Sequence, residues 1–316
     1  VEVRLSSLSK DETKAIIVAF SDRSKGTYYY YDIEKDELIM LAELSPWLKT
    51  DDMAKMSPVK YESRDGLTIH GYLTLPLNYN KGDRIPDVVK PHGGPWVRDY
   101  WGFNSEIQFL ANKGYAVFQM NYRGSTGYGR SFWEKSFKQW GKDMQNDITD
   151  GVNWLIDEGI ADPDKIAIYG ASYGGYATLA GLTFTPDLYA CGVDYVGVSN
   201  LYTFMQSMPA YWKPYLEIIK AIWYDEDNDQ EKKIMDEVSP VFHIDNITKP
   251  LFVIQGANDP RVNIDESDQI VSGLRAKGVT VPYMVKYDEG HGFGKEENMM
   301  DLYKAMMGFL AQNLKQ

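Results

Sequence analysis

The sequence has one cysteine in 316 residues, Cys191. No disulfide can form within the chain, and the reading that fits is a reducing compartment such as the cytoplasm. A basic excess is also lacking. Thirty-three Lys and Arg stand against 45 Asp and Glu, for a formal net charge of −12 and a pI near 4.9. That balance argues against nucleic acid or an anionic membrane as a partner. No apolar run approaches the ~20 residues of a spanning helix, and no basic-then-apolar signal pattern opens the chain. It begins with Val1 rather than Met, which reads as processing or excision from something longer. Histidine is limited to four residues. There is no H-E-x-x-H and no clustered His/Asp pattern. The glycine-rich "RGSTGYG" at 123–129 lacks a following Lys-Ser/Thr, so it reads as a structural loop. Neither a metal nor another cofactor is expected.

What is present supports a globular chain with a real core: 44% of residues are hydrophobic and 14% aromatic. Residues 1–55 read as a β-meander, with strands at 15–20, 27–33 and 37–41 between turns. Such a meander alone has two open edges and little core. It looks like one sheet unit of a larger repeating structure, and its edges offer a homo-oligomer contact through residues 1–50. From Pro58 the pattern changes. A hairpin turns at Arg64-Asp65-Gly66, and short apolar runs then alternate with amphipathic helices. Strands are expected at 87–90, 116–120, 166–169, 192–196, 251–255 and 281–287. Helices are expected at 105–113, 143–158, 173–183, 265–277 and 298–314. This alternation predicts an α/β fold over residues 56–316, with a mainly parallel sheet covered by helices on both faces. Cys191, in "YACGVDYVG", reads as core packing.

One corner concentrates the chemistry. In "DKIAIYGASYGGYATLAG" an apolar strand runs into Gly170-Ala171-Ser172-Tyr173-Gly174 and then into a helix. A serine at such an apex sits on strained backbone, with its hydroxyl over the sheet edge and a helix N-terminus beneath it. The flanking residues must be tiny because strand and helix pass closely. Ser172 is the expected nucleophile.

A base and an acid must then lie at other strand ends. His70 falls within a hairpin strand and His243 in a short helix or turn, both structural settings. His92 belongs to a loop discussed below. His291, in "YDEGHGFG", follows the strand at 281–287 and has glycine on each side, so it can reach over the serine. Asp259 follows the strand at 251–255. Its rival Asp288 lies three residues from His291, a spacing that rarely reaches the far side of the imidazole. The chain order Ser172, Asp259, His291 is that of α/β-hydrolases. "VVKPHGGPW" supplies a strand followed by a two-glycine loop suited to an oxyanion hole, with His92 bracing it.

Together, His92-Gly93-Gly94-Pro95, "NYRGSTGYGRSFW", "GASYGGYA", "ANDPRV" and "DEGHGF" resemble the prolyl oligopeptidase family of serine peptidases, nearest to its acylaminoacyl-peptidase branch. The resemblance covers residues 56–316. It implies an α/β-hydrolase domain with Ser172 as nucleophile, His291 as base and Asp259 as acid. Gly94 and Tyr173 become backbone oxyanion donors, and Arg261 a contact to the substrate's acyl carbonyl. It further implies that residues 1–50 are the last blade of a β-propeller whose remainder is absent, leaving the site open. The aromatic stretch 201–227 then reads as a helical flap over an apolar pocket. Trp212, Tyr215, Ile218 and Ile222, with Trp96, are its candidate substrate-binding residues.

The function expected is hydrolysis of small acyl esters, and of acylated amino acids or short peptides, through an acyl-enzyme. One alternative is an exopeptidase whose specificity needs the propeller. An alternative of another class is a silent fragment serving as an interaction module.

Overall fold

In the computed structural model, which describes residues 1–314, the chain opens with four strands. β1 (Glu2–Leu8), β2 (Lys14–Ser21), β3 (Ser24–Asp32) and β4 (Glu37–Glu43) pair antiparallel in chain order. The three-strand meander read from sequence is thus a four-strand sheet. The added strand, β1, is exposed at every position, yet its sequence alternates Val3 and Leu5 with Glu2, Arg4 and Ser6, the period of a strand.

The remaining elements follow the alternation. β5 (Met56–Glu62) and β6 (Thr68–Thr74) flank the Arg64-Asp65-Gly66 turn, where Gly66 adopts φ +79°. Then come β7 (Ile85–Val89), α1 (Ser105–Asn112), β8 (Ala116–Asn121), α2 (Arg130–Glu134), α3 (Asp143–Asp157), β9 (Ala161–Ala171), α4 (Tyr173–Phe184) and β10 (Cys191–Tyr195). α5 (Leu201–Gln206), α6 (Leu216–Ile222), α7 (Asp229–Val238), β11 (Leu251–Gly256), α8 (Ile264–Ala276), β12 (Tyr283–Lys286) and α9 (Glu296–Leu314) complete the series. Asn104, Asn200, Asn228 and Asn263 cap α1, α5, α7 and α8 by accepting first-turn N–H groups.

The second sheet has eight strands in the order β12-β11-β10-β9-β7-β8-β6-β5. β7, β9, β10, β11 and β12 pair parallel, and α3, α4 and α9 pack against β9. A parallel sheet buried on both faces wants continuous apolar runs. Ile166, Ala167, Ile168 and Tyr169 of β9 are accordingly buried. Ile148, Val152 and Leu155 on α3, and Leu302, Met306 and Leu310 on α9, are buried at the helical spacing of their stripes. α4 is buried along its length from Tyr173 to Thr183, which is why its sequence shows no polar face. This is the α/β-hydrolase fold.

By internal packing the chain forms two compact units. One comprises Val1–Val59, Tyr72–Lys81 and Tyr100–Val117. Within it, the buried Gln108 amide accepts the Ala54 N–H at 2.8 Å and donates to the carbonyls of Asp22 and Ala54. The other comprises Lys60–Gly71, Gly82–Asp99 and the chain from Phe118 onward, and it holds every candidate catalytic residue. Among the described residues no helix is long and apolar enough to cross a membrane.

The segment 201–227 departs from a single amphipathic flap. A 3₁₀ stretch, Ala210–Tyr215, contains Pro214, and the α-helical register begins only at Leu216. Proline removes a backbone donor and blocks a continuous helix, so the flap is not one continuous helix.

Candidate active site

The elbow arises because β9 and α4 meet with no room between them. A Cβ on Gly170 would lie 2.4 Å from the Gly174 carbonyl carbon, and one on Gly174 would lie 2.3 Å from the Pro91 oxygen. Ser172 caps α4 with φ +59° and ψ −119°, a conformation L-residues rarely adopt. Its N–H donates to the Tyr195 carbonyl at 2.9 Å, and its own carbonyl accepts from Tyr176 at 3.0 Å. The half-buried side chain lines a cavity of about 350 Å³.

His291 lines the same cavity. Its Nδ1 lies 2.7 Å from Oδ2 of Asp259, whose side chain is fully buried. A carboxylate only accepts, so Nδ1–H is the donor and Nε2 is left free to exchange a proton. The other Asp259 oxygen accepts the N–H groups of Arg261 at 2.8 Å and Val262 at 3.0 Å. The Asp259 carboxylate is therefore fixed by its own loop. Asp288 points elsewhere, to Lys295 at 2.6 Å and to Asn298 at 3.2 Å. Lys295 holds its carboxyl below the usual range.

The two-glycine loop lies against the elbow. A Cβ on Gly93 would meet the Ala171 oxygen at 3.0 Å and the Ser172 Cβ at 3.4 Å. Gly94 takes φ +111° and, like Tyr173, lines the cavity. Tyr173 is the first residue of α4, where N–H groups have no intrahelical acceptor. His92 is buried beneath the loop. Its Nδ1 lies 2.7 Å from the Gly93 oxygen and its Nε2 2.8 Å from Ser125 Oγ, and the ring stacks on Tyr122 at 4.3 Å. Burial pushes its pKa down, which keeps it neutral in a bracing position. Among the other histidines, His70 stacks on Tyr128 and His243 Nε2 sits 2.8 Å from the Asp236 carbonyl.

The candidate substrate residues divide. Trp212 and Arg261 line the Ser172 cavity, along with Trp140, Val198, Phe204, Trp223 and Val262. Among the described residues the Arg261 guanidinium has no ion-pair partner. Trp96, Tyr215 and Ile218 instead line a second cavity of about 500 Å³, which shares Gly94, Trp212 and Trp223 with the first. Ile222 lines neither and is buried. On α6 it lies one turn beyond Ile218, which is exposed. Trp140, between α2 and α3, gave no signal in the sequence, whereas Val198 and Phe204 follow β10 at a strand end that could have been searched.

Two other groups are settled by their surroundings. Arg123 of the glycine-rich loop pairs with Asp147 at 2.8 Å, Asp65 at 3.0 Å and Asp143 at 3.1 Å, a structural knot. Cys191 is fully buried, and burial pushes its thiol up to about 12. Among the described residues, no group of three or more His, Cys, Asp or Glu is placed to hold a metal ion.

The sheet, the strained serine and the Asp–His pair define an α/β-hydrolase of the serine type. A model described as the prolyl oligopeptidase family matches residues 101–316. Dipeptidyl aminopeptidase BIII of Pseudoxanthomonas mexicana is 43% identical over 319 residues, covering 99% of this chain and 46% of that protein. Dipeptidyl peptidase family member 6 of Caenorhabditis elegans is 36% identical, covering 99% of this chain and 45% of that protein. Among solved structures, a puromycin-hydrolyzing peptidase of Mycobacterium tuberculosis is 28% identical with TM-score 0.85, covering 96% of this chain and 46% of that one. The Pyrococcus horikoshii acylaminoacyl peptidase is 27% identical with TM-score 0.83, covering 100% of this chain and 50% of that one. The chain belongs to the prolyl oligopeptidase family of serine hydrolases, and it spans about half the length of the curated relatives it matches.

Proposed function

We propose that this chain carries the catalytic machinery of a serine peptidase acting on short peptides, and that the same site turns over small activated esters through an acyl-enzyme. The observation that carries the reading is that His291, bonded to Asp259 at 2.7 Å, lines one cavity with Ser172.

In this reading Ser172 Oγ attacks the substrate carbonyl while His291 Nε2 takes its proton. Asp259 holds the imidazole by Nδ1–H and stabilises the imidazolium that forms. The negative charge developing on the carbonyl oxygen is met by the N–H groups of Gly94 and Tyr173 and by the N-terminus of α4. The carbon–leaving-group bond breaks as His291 returns the proton to the departing amine or alcohol. Water, deprotonated by His291, then attacks the acyl-enzyme and releases the acid and Ser172. An alcohol leaves more readily than an amine, so esters are the easier substrates. Arg261 lines the cavity and has no ion-pair partner among the described residues, which supports its role as donor to an acyl carbonyl. The aromatic wall of Trp140, Phe204, Trp212 and Trp223 suits an apolar side chain or acyl group.

The names of the relatives divide the peptide reading between release of dipeptides from a free amino terminus and release of acylated amino acids. Initial rates on dipeptidyl anilides, acylaminoacyl anilides and p-nitrophenyl esters separate these. Turnover of none of them by folded protein would refute the reading.

At the level of domains, we assign residues 1–55 to a propeller blade and 56–316 to the catalytic domain. This division follows the two sheets rather than the two compact units. A second reading is favoured by one observation: β1 and β4 are exposed at every residue, so this sheet offers an edge to a second copy of the chain. Mass determination by size exclusion at several concentrations, with and without residues 1–50, tests it. An unchanged monomer in both forms would refute it.

A further inference from the structure

Ser172 and His291 stand on loops after different strands. The bond to Asp259 orients the imidazole but does not set its distance from the serine. Tyr195 touches both loops. It is the last residue of β10 and pairs with Ala171 across the sheet, and its carbonyl accepts the Ser172 N–H at 2.9 Å. Its phenol oxygen accepts the N–H of Phe293, two residues past His291. Its ring meets Phe293 edge-on, with centroids 5.3 Å apart and planes at 73°.

The surroundings make that side-chain bond matter. Tyr195 is 8% exposed and Phe293 9%, and an N–H left unpaired in such a place is costly. Gly292, between His291 and Phe293, takes φ +99°, and a Cβ there would lie 3.7 Å from the phenol oxygen. Further along, Glu289 accepts the N–H groups of Gly294 at 2.8 Å and Lys295 at 2.9 Å, and the Asn298 amide at 2.7 Å. The far end of the loop is thereby pinned to α9. The segment next to the imidazole is held by Tyr195.

We propose that Tyr195 is a positioning residue. Its main chain anchors the elbow and its side chain anchors the base-bearing loop, so that His291 keeps its register with Ser172. The proposal rests on the reading of Ser172, His291 and Asp259 as the reacting set.

The test uses Tyr195→Phe and Phe293→Leu in the full chain. The first deletes the hydroxyl and keeps the ring. The second keeps the backbone N–H and deletes the ring contact. Tyr195→Phe is expected to lower kcat, and the rate of fluorophosphonate inactivation, by about tenfold or more, with KM within about twofold of wild type. Phe293→Leu is expected to keep kcat within about threefold. A wild-type kcat in Tyr195→Phe, or an equal loss in Phe293→Leu, overturns the proposal. Hydrogen exchange of the unmutated protein covers the case in which Tyr195→Phe does not fold. The Phe293 amide should exchange far more slowly than a free loop amide, and fast exchange overturns the proposal. If instead Ser172 of the wild type takes no fluorophosphonate, the triad reading fails, while the Phe293 exchange rate still tests the anchor separately.

Discussion

Asp259 reaches His291 across 32 positions of sequence and meets its Nδ1 at 2.7 Å, while Asp288, three positions away, bonds Lys295 instead. Partnership here is set by which strand end a residue occupies, not by closeness along the chain. If the pair orients the base, Asp259→Asn should leave the fold intact and reduce kcat by roughly 10³- to 10⁴-fold, because the amide favours the wrong imidazole tautomer. Steady-state kinetics beside a thermal melt checks this. A loss under tenfold in folded protein would count against the assignment.

The tight crossing at the elbow predicts a packing penalty. A Cβ at Gly174 would press on the Pro91 oxygen, and neither backbone can yield without moving the two-glycine loop away from Ser172. Gly174→Ala should destabilise the protein by about 1–3 kcal/mol and slow fluorophosphonate labelling. Denaturant unfolding and labelling rates measure the two effects.

Asp194, on β10, is fully buried, and burial pushes its carboxyl up to about 7, with the Gly197 N–H working the other way. The folded chain therefore holds this proton where the unfolded chain has already released it. Stability contributed by the group falls as pH rises from about 4 to about 7 and is flat above, by about 4 kcal/mol at most. Asp194→Asn cannot titrate, so its stability relative to wild type should be greater at pH 8 than at pH 5. Unfolding midpoints at the two pH values decide it.

Trp212 lines both cavities. Trp212→Ala should raise KM by roughly tenfold for substrates with a bulky apolar side chain or acyl group, the scale of losing one buried apolar contact. It should affect an acetyl ester little. Equal effects on both would remove Trp212 from the pocket's specificity.

Much of the catalytic half was legible because its signals are local. Strand ends, glycine corners and helical stripes such as Ile148, Val152 and Leu155 each leave a short pattern. β1 carries a period-2 alternation as well, Val3 and Leu5 between Glu2, Arg4 and Ser6, and was legible on that ground. The N-terminal turns of β9, "ADPDK", carry charge and proline before the apolar run begins, so the strand reads shorter than it is. The stretch 201–227 did not announce that Pro214 divides it into a 3₁₀ turn and a separate helix. The cavity wall was legible only in part. Trp140 reaches it by tertiary packing against Tyr173 and Trp223, and no spacing in the sequence announces such a contact.

The most direct test maps a fluorophosphonate adduct by mass spectrometry and measures hydrolysis before and after labelling. The account predicts a single adduct on Ser172, loss of hydrolysis in step with labelling, and neither labelling nor turnover in Ser172→Ala. An adduct on another residue, or ester hydrolysis persisting in Ser172→Ala, would contradict it.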